Sequence, residues 1–309
     1  MMSNSGKWIL GIVVGFAGFA FLVMALSFFV LSTAITSDTS SDAVEESYGG
    51  SSTERVAVID IREIIVDAED VIRQLRKYSK RSTVKAVVLR LDSPGGAVVP
   101  SHEIYEEVKR IRRLGKPVVA SMGSVAASGA YYIACAADRI VANPGSITGS
   151  IGVVSEFASF QPLLEKIGIE STTITSGEFK DTGNPTRRMR PEERAYLQHT
   201  IDDIYEQFVG IVVAGRTLTE DSVRALADGR IFTGQQAYAN GLVDTLGTMD
   251  MAIRLAGTLG KISGEPRVTR ERERETLLDM LVGTRARRSI EGMGAQLKPA
   301  SPVEYRLFY

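Results

Sequence analysis

The sequence predicts an α/β domain of repeated parallel βαβ units, preceded by one N-terminal transmembrane helix. Three observations lead there. From Arg55 onward, apolar runs rich in Val and Ile alternate with segments of helical periodicity, the mark of parallel strands joined by crossover helices. No charged residue occurs from Trp8 to Ser37, a run longer than the roughly 20 apolar residues a membrane-crossing helix needs. The chain has 309 residues, 44% of them hydrophobic, enough for one sizeable core or two modest ones.

Residues 1–35 read as a short cytoplasmic stub and a transmembrane anchor. Gly11, Gly15 and Gly18 interrupt the run but are tolerated where lipid offers no competing hydrogen-bond partner. A cleaved secretory signal carries a shorter apolar region, roughly 7–15 residues, so an uncleaved anchor fits better. Lys7 precedes the run, whereas Asp38, Asp42, Glu45 and Glu46 follow it. The positive-inside tendency then puts the N-terminus in the cytoplasm and the remainder on the extracytoplasmic side of a cell membrane crossed once. Residues 36–54, rich in Ser, Thr and Gly, read as a flexible tether.

Residues 55–262 form the single folded domain. Arg55–Val66 is the first strand, Asp70–Lys80 a helix, and Val84–Leu91 a second strand that ends in the turn Asp92-Ser93-Pro94-Gly95-Gly96. His102–Arg113 is a polar-faced helix, Pro117–Met122 a third strand, Ala126–Ala137 a buried helix rich in Ala and Tyr, and Arg139–Ala142 a fourth strand. Further on, Phe157–Ile167 has helical character and Ser171–Thr175 the β-branched character of a strand. Pro191–Ala214 is a long helix with an apolar stripe, and Thr219–Ala227 and Thr233–Asn240 are shorter helices. Residues 263–309 are a charged C-terminal extension. Its end, Tyr305, Leu307, Phe308 and Tyr309, is apolar. It reads either as a partly ordered tail or as a segment that docks near the site.

Composition excludes several functions. A net charge of −1 gives no electrostatic footprint for nucleic acid. A single cysteine, Cys135, allows neither a disulfide framework nor a cysteine-based zinc site. Only His102 and His199 are available as histidines, so a histidine-rich metal site is not expected, and no cofactor is implied.

Chemistry concentrates in three places. Gly123–Ala130 is a run of small residues where a strand gives way to a helix. A hydroxyl at Ser128 would sit beside unsatisfied helix N–H groups able to stabilise an anion; Ser124 reads as an ordinary helix cap. A serine needs a proton acceptor to be nucleophilic at neutral pH. His102 and His199 lie on helices with surface or packing roles. The better candidate is Lys180, which can act only in its neutral form, reached by desolvation; Asp181 beside it would oppose this unless turned away. The Asp92–Gly96 turn is either a plain tight turn or half an oxyanion hole, with the Gly95 N–H opposing that of Gly129.

Together these motifs resemble the signal peptide peptidase A (protease IV) family, of Clp protease/crotonase-type fold. The resemblance runs from about Val56 to Gly247. It rests on Asp-Ser-Pro-Gly-Gly at 92–96, Ala-Ala-Ser-Gly-Ala-Tyr-Tyr at 126–132 and Ser-Ile-Thr-Gly-Ser-Ile-Gly-Val at 146–153. It continues through Ser-Gly-Glu-Phe-Lys-Asp-Thr-Gly-Asn-Pro at 176–185, Arg-Pro-Glu-Glu-Arg at 190–194, Gly-Arg-Ile-Phe-Thr-Gly-Gln-Gln-Ala at 229–237 and Gly-Leu-Val-Asp at 241–244. It implies a serine endopeptidase with Ser128 as nucleophile, Lys180 as general base, Gly95 and Gly129 as oxyanion donors, and Ser150 as a residue that orients the lysine. Larger members place serine and lysine in two fused halves; this chain has one half, so the resemblance implies that both catalytic residues come from the same repeat unit. The family further implies remnant signal peptides and other apolar or unfolded peptides as substrates, and a homo-oligomeric ring or dome. Two rivals are a membrane protease acting on one stomatin-like partner and a catalytically silent membrane scaffold. One departure stands out: Arg62-Glu63 follows the first strand where relatives often have glycine.

Overall fold

A computed structural model describes residue 18, residues 44–272 and residues 304–306. The charge-free run from Trp8 to Ile35, apart from Gly18, lies outside the described residues. Among those described, no helix is long and apolar enough to cross a membrane.

Residues Glu46–Arg270, with the strand at 304–306, belong to one compact unit. Its centre is a parallel sheet. Strands β2 (Arg55–Ile65), β3 (Val84–Ala97), β4 (Val118–Ala127) and β5 (Arg139–Ala142) run side by side. The sheet is extended by β8 (Thr245–Leu246) beyond β5 and by β9 (Arg267–Arg272) and β1 (Val44–Gly49) beyond β2. Helices α1 (Glu69–Lys80), α2 (Val98–Arg113) and α3 (Gly129–Ala134) make the crossovers.

The period-two rule divides the strand side chains between two cores. Ala57, Ile59 and Ile61 of β2 and Val87, Leu89 and Leu91 of β3 join one cluster, which also holds Leu75 of α1, Ile104 and Ile111 of α2, and Tyr131 of α3. Phe208 and Val212 of helix α5 (Pro191–Gly215) close that cluster. The alternate residues Val56, Val58, Ala86 and Val88 face a second cluster with Ala252, Ile253 and Ala256 of α8 (Met249–Leu259). Helices therefore cover both faces, which explains why the central strands read as unbroken apolar runs.

Two features differ from the all-parallel expectation. Strand β4 pairs with β5 through Val119–Ser121, then leaves it and pairs with β6 (Ile147–Gly149) through Val125–Ala127. Strand β7 (Ile231–Thr233) adds to β6 antiparallel, and β10 (Glu304–Arg306) adds to β3 antiparallel, so the sheet is mixed. The second difference is at Ser171–Thr175, which forms no strand. Its β-branched residues are exposed, with no sheet beside them, and strand propensity counts only on a half-buried surface. In the same stretch only α4 (Gln161–Lys166) is helical. Helices α6 (Glu220–Leu226) and α7 (Gly234–Ala239) fall where expected, each capped by a threonine, Thr219 and Thr233.

Candidate active site

The site forms where β4 ends. The helix expected at Ala126–Ala137 begins later: Ala126 and Ala127 still belong to β4, and Ser128 is the residue between strand and helix. It has φ 53° and ψ −117°, a conformation that costs a non-glycine residue on the order of 1–3 kcal/mol and persists only where the surroundings dictate it. Those surroundings are visible. The Ser128 N–H donates to the Gly149 carbonyl at 2.8 Å, and its carbonyl accepts from the Tyr132 N–H at 2.8 Å, starting α3. Ser128 is fully buried, and among the described residues its Oγ has no hydrogen-bond partner. A buried hydroxyl without a partner is unusual and calls for an explanation.

Strand register brings the other small-residue motifs to the same point. With Ala127 opposite Gly149 in the parallel β4–β6 pair, Ser150 stands next to Ser128. It too has positive φ, 51°, and is held by its own N–H on the Arg230 carbonyl. The chain at 92–96 is not a turn that ends the strand: β3 continues through it to Ala97. Asp92 Oδ1 accepts the Val125 N–H at 3.1 Å, tying β3 to β4 just ahead of Ser128. Ser93 Oγ accepts the Gly95 N–H at 3.1 Å.

Glycine is required here by close approach. A Cβ on Gly96 would collide with the Ile65 backbone, and one on Gly129 would fall 2.6 Å from Ser101 Oγ and 3.2 Å from Gly96 N. The structure thus brings Gly95, Gly129, Ser150 and Ser128 together. It adds the Gly96 amide, Ser93 and Ser101, which sequence reasoning did not single out. The serine at 93 was legible as turn chemistry, in which a hydroxyl accepts a backbone N–H two residues on; Ser101, three residues into α2, carried no such signal.

Lys180 is placed differently. It lies on an exposed excursion between β6 and α5, where Gly168–Lys180 is exposed throughout. Among the described residues its amine makes no hydrogen bond or ion pair, and within one chain it does not reach Ser128 Oγ. Asp181 is turned away: Arg187 grips it through Nε and Nη2, both at 2.8 Å, and grips Glu193 as well. The Arg187 guanidinium holds the Asp181 carboxyl below its usual range. Arg187 and then the Arg190 N–H hold that of the buried Glu193 far below its own. The excursion is apolar for an exposed segment, with Phe160, Leu163, Ile167, Ile169 and Phe179 on the surface and Ile174 94% exposed.

The remaining titratable candidates do not compete. His102 bonds to the Tyr132 hydroxyl and His199 lies near Asp203. Cys135 is buried, which pushes its thiol up to about 12. Among the described residues no cluster of three His, Cys, Asp or Glu side chains could hold a metal ion.

Comparison with known proteins agrees with this fold. Residues 110–263 match Peptidase family S49, and residues 53–146 match Clp protease. A proposed protease of Synechocystis sp. is 51% identical over 174 residues, covering 56% of this chain and 62% of that one. A proposed signal peptide peptidase SppA of Enterococcus faecium is 35% identical over 217 residues, 66% of this chain and 63% of its own. Protease 4 of Haemophilus influenzae is 36% identical over 214 residues, 66% of this chain and 35% of its own. The chain thus spans less than two thirds of the length of each of these relatives.

Proposed function

Given that the chain belongs to peptidase family S49, the signal peptide peptidase A family, we propose that it is a serine endopeptidase whose nucleophile is Ser128 and whose general base is Lys180 of a neighbouring copy. The observation that carries this reading is the Ser128 hydroxyl: buried, unpartnered, and fixed at a positive-φ position beside Gly95, Gly96 and Gly129. Among the described residues of its own chain, nothing accepts its proton. The candidate base stands on an exposed apolar excursion that a second copy would cover. Burial in such an interface disfavours a charged amine, which is what a lysine base requires.

The reaction is acyl transfer. Ser128 Oγ bonds to the scissile carbonyl carbon while its proton passes to the Lys180 amine. The carbonyl oxygen becomes the oxyanion, held by the N–H groups of Gly96 and Gly129, because the Gly95 N–H expected in that role is taken by Ser93 Oγ; each such donor contributes about 3–4 kcal/mol in the transition state. The C–N bond then breaks, the lysinium returns its proton to the leaving amine, and water repeats the sequence to release the acyl group. Ser150, next to Ser128, is placed to orient the incoming amine.

The charge-free run Trp8–Ile35 supports anchoring in the cell membrane with the catalytic domain on its extracytoplasmic face. There it would meet remnant signal peptides and other apolar or unfolded segments, within a homo-oligomeric ring or dome.

The test uses the full chain in detergent. A fluorophosphonate probe should label it and fail to label Ser128→Ala. Ser128→Ala and Lys180→Ala should each be inactive on an apolar peptide, and co-assembly of the two should restore cleavage, since one variant supplies the serine and the other the lysine. Retained activity in Lys180→Ala removes the lysine from the mechanism; a mixture that stays silent removes the shared site.

A further inference from the structure

A crevice opens where β4 leaves one neighbour for another. Strand β4 pairs with β5 as far as Ser121, opposite Val141, and joins β6 only from Val125. In between it bulges: Leu91 stands opposite Met122 but Ser93 opposite Ala126, so β4 carries two extra residues. Parallel sheets bind ligands where neighbouring strands diverge at their carboxyl ends. Here the gap holds a cavity of about 330 Å³, walled in part by Arg90, Met122, Ser124, Asn143 and Met249, a size at the lower end of small-molecule sites. Arg90 alternates with Leu89 and Leu91, which face the core of α1, α2 and α3. Its side chain therefore lies on the α8 face of the sheet, across from the helix that Ser128 opens.

Arg90 is the unusual member of this wall. It is half-buried. Asp60, its partner in the β2–β3 register, is held by Arg270 and Arg62. The Arg90 guanidinium turns instead to β4, where Nη1 donates to Ser121 Oγ at 3.1 Å and to the Met122 carbonyl at 3.0 Å. Those bonds fix its plane. Among the described residues, its Nε and Nη2 have no hydrogen-bond partner and no carboxylate pairs with it. Burying a charge without a counter-charge is costly, and the Nε–Nη2 edge is the fork that grips a carboxylate through two parallel bonds. Asp92, two residues along the strand, adds a negative charge while its Oδ1 accepts the Val125 N–H. The cavity is thus suited to a monoanion rather than to a phosphate dianion. Ser124 offers an exposed hydroxyl, and Met249 an apolar flank.

We propose that this cavity is a second ligand site, which takes a small organic monocarboxylate with its carboxylate on the Nε–Nη2 edge of Arg90 and its short apolar body against Met249. A free short-chain acid and the C-terminal residue of a peptide offer the same chemistry. The site stands apart from Ser128 and does not depend on the peptidase reading.

The test uses the full chain in detergent and two probes, isovalerate and the dipeptide glycyl-leucine. Binding is read as a saturable rise in melting temperature, with an apparent Kd of about millimolar. A response to isovalerate assigns the site to free acids; a response to the dipeptide alone assigns it to peptide ends; a response to neither overturns the proposal. The corresponding amides, isovaleramide and glycyl-leucinamide, lack the charge and should bind at least about tenfold more weakly. Arg90→Gln removes the fork and should weaken binding by a similar factor. Arg90 also ties Ser121 to Met122, so a second variant guards against a loss of fold. Ser124 is exposed, and Ser124→Asp sets a tethered carboxylate at the wall of the same cavity. It should abolish the response to both probes without lowering the melting temperature of the unliganded chain. A rise that the amides or an equal concentration of sodium chloride reproduce, or that survives in Ser124→Asp, overturns the proposal.

Discussion

Ser128 and Lys180, the two residues proposed as a dyad, sit in regions built on opposite principles. Around Ser128, two strand ends, a helix start and the β6–β7 addition converge. Thr148 Oγ1 donates to the Ala126 carbonyl and Ser146 Oγ to the Gly123 carbonyl. Backbone approaches there are so close that several positions admit no side chain. Around Lys180 the chain is exposed, mostly irregular, and organised by one arginine. The difference teaches that Ser128 is held in place by its own fold, as precise chemistry demands, whereas Lys180 stands on a surface that the fold of one chain leaves exposed.

A matched pair of substitutions probes that contrast most sharply. Gly129→Ala places a methyl group against Ser101 Oγ and the Gly95–Gly96 backbone. It should disturb the oxyanion geometry and lower kcat about a hundredfold or more, measured on the peptide that the parent cleaves. Gly177→Ala lies three residues before Lys180, where a Cβ meets nothing within 4 Å; it should leave kcat and KM within about twofold. Similar losses from both would break the comparison.

The next effect concerns the organiser of the excursion. Arg187→Ala frees Asp181 beside Lys180 and leaves Glu193 buried with less compensation. Activity should fall about ten- to a hundredfold while the melting transition of the central sheet persists. Acid should imitate it. The Asp181 and Glu193 carboxyls are held below their usual range by Arg187, so their contribution is fully present above the ordinary carboxylate range. It is lost as pH falls through their lowered values, below about 4. Limited proteolysis within 155–190 should therefore stay slow from pH 7 to about 5 and accelerate only below about 4. Glu193→Gln should show the faster cutting already at pH 7. Fast cutting of the parent at pH 5 would separate the excursion from this ion network.

These cases also mark what sequence could reveal. The apolar runs Val56–Ile61 and Val84–Leu91 announced the buried parallel strands, and the small residues around Ser128 announced a tight strand-to-helix junction. Legibility failed where tertiary context decides. Thr172–Thr175 has strand composition but no neighbouring edge. The Asp92–Gly96 segment reads as a turn because Pro and Gly usually break strands, yet it continues β3 as the lining of the site. The separation of Lys180 from Ser128 within one chain ran against the expectation that one unit supplies both, since spacing along a chain does not fix distance in space.

The smallest effect comes from the one departure noted in the motifs, Arg62-Glu63. Glu63 has φ 58° and sits where the β2–β3 register shifts, between Arg62 opposite Asp92 and Ile64 opposite Gly95. A bulge there re-aims β3 as it enters the diglycine segment. Glycine adopts that conformation freely, whereas glutamate is strained in it. The Glu63 side chain is exposed, so removing it uncovers nothing. Relief of strain outweighs the added freedom of the unfolded chain, and Glu63→Gly should raise stability by about 0.5–1 kcal/mol, read as a shift in urea midpoint at constant slope. A loss of stability of that size would mean that the bulge is held by the glutamate side chain rather than tolerated despite it.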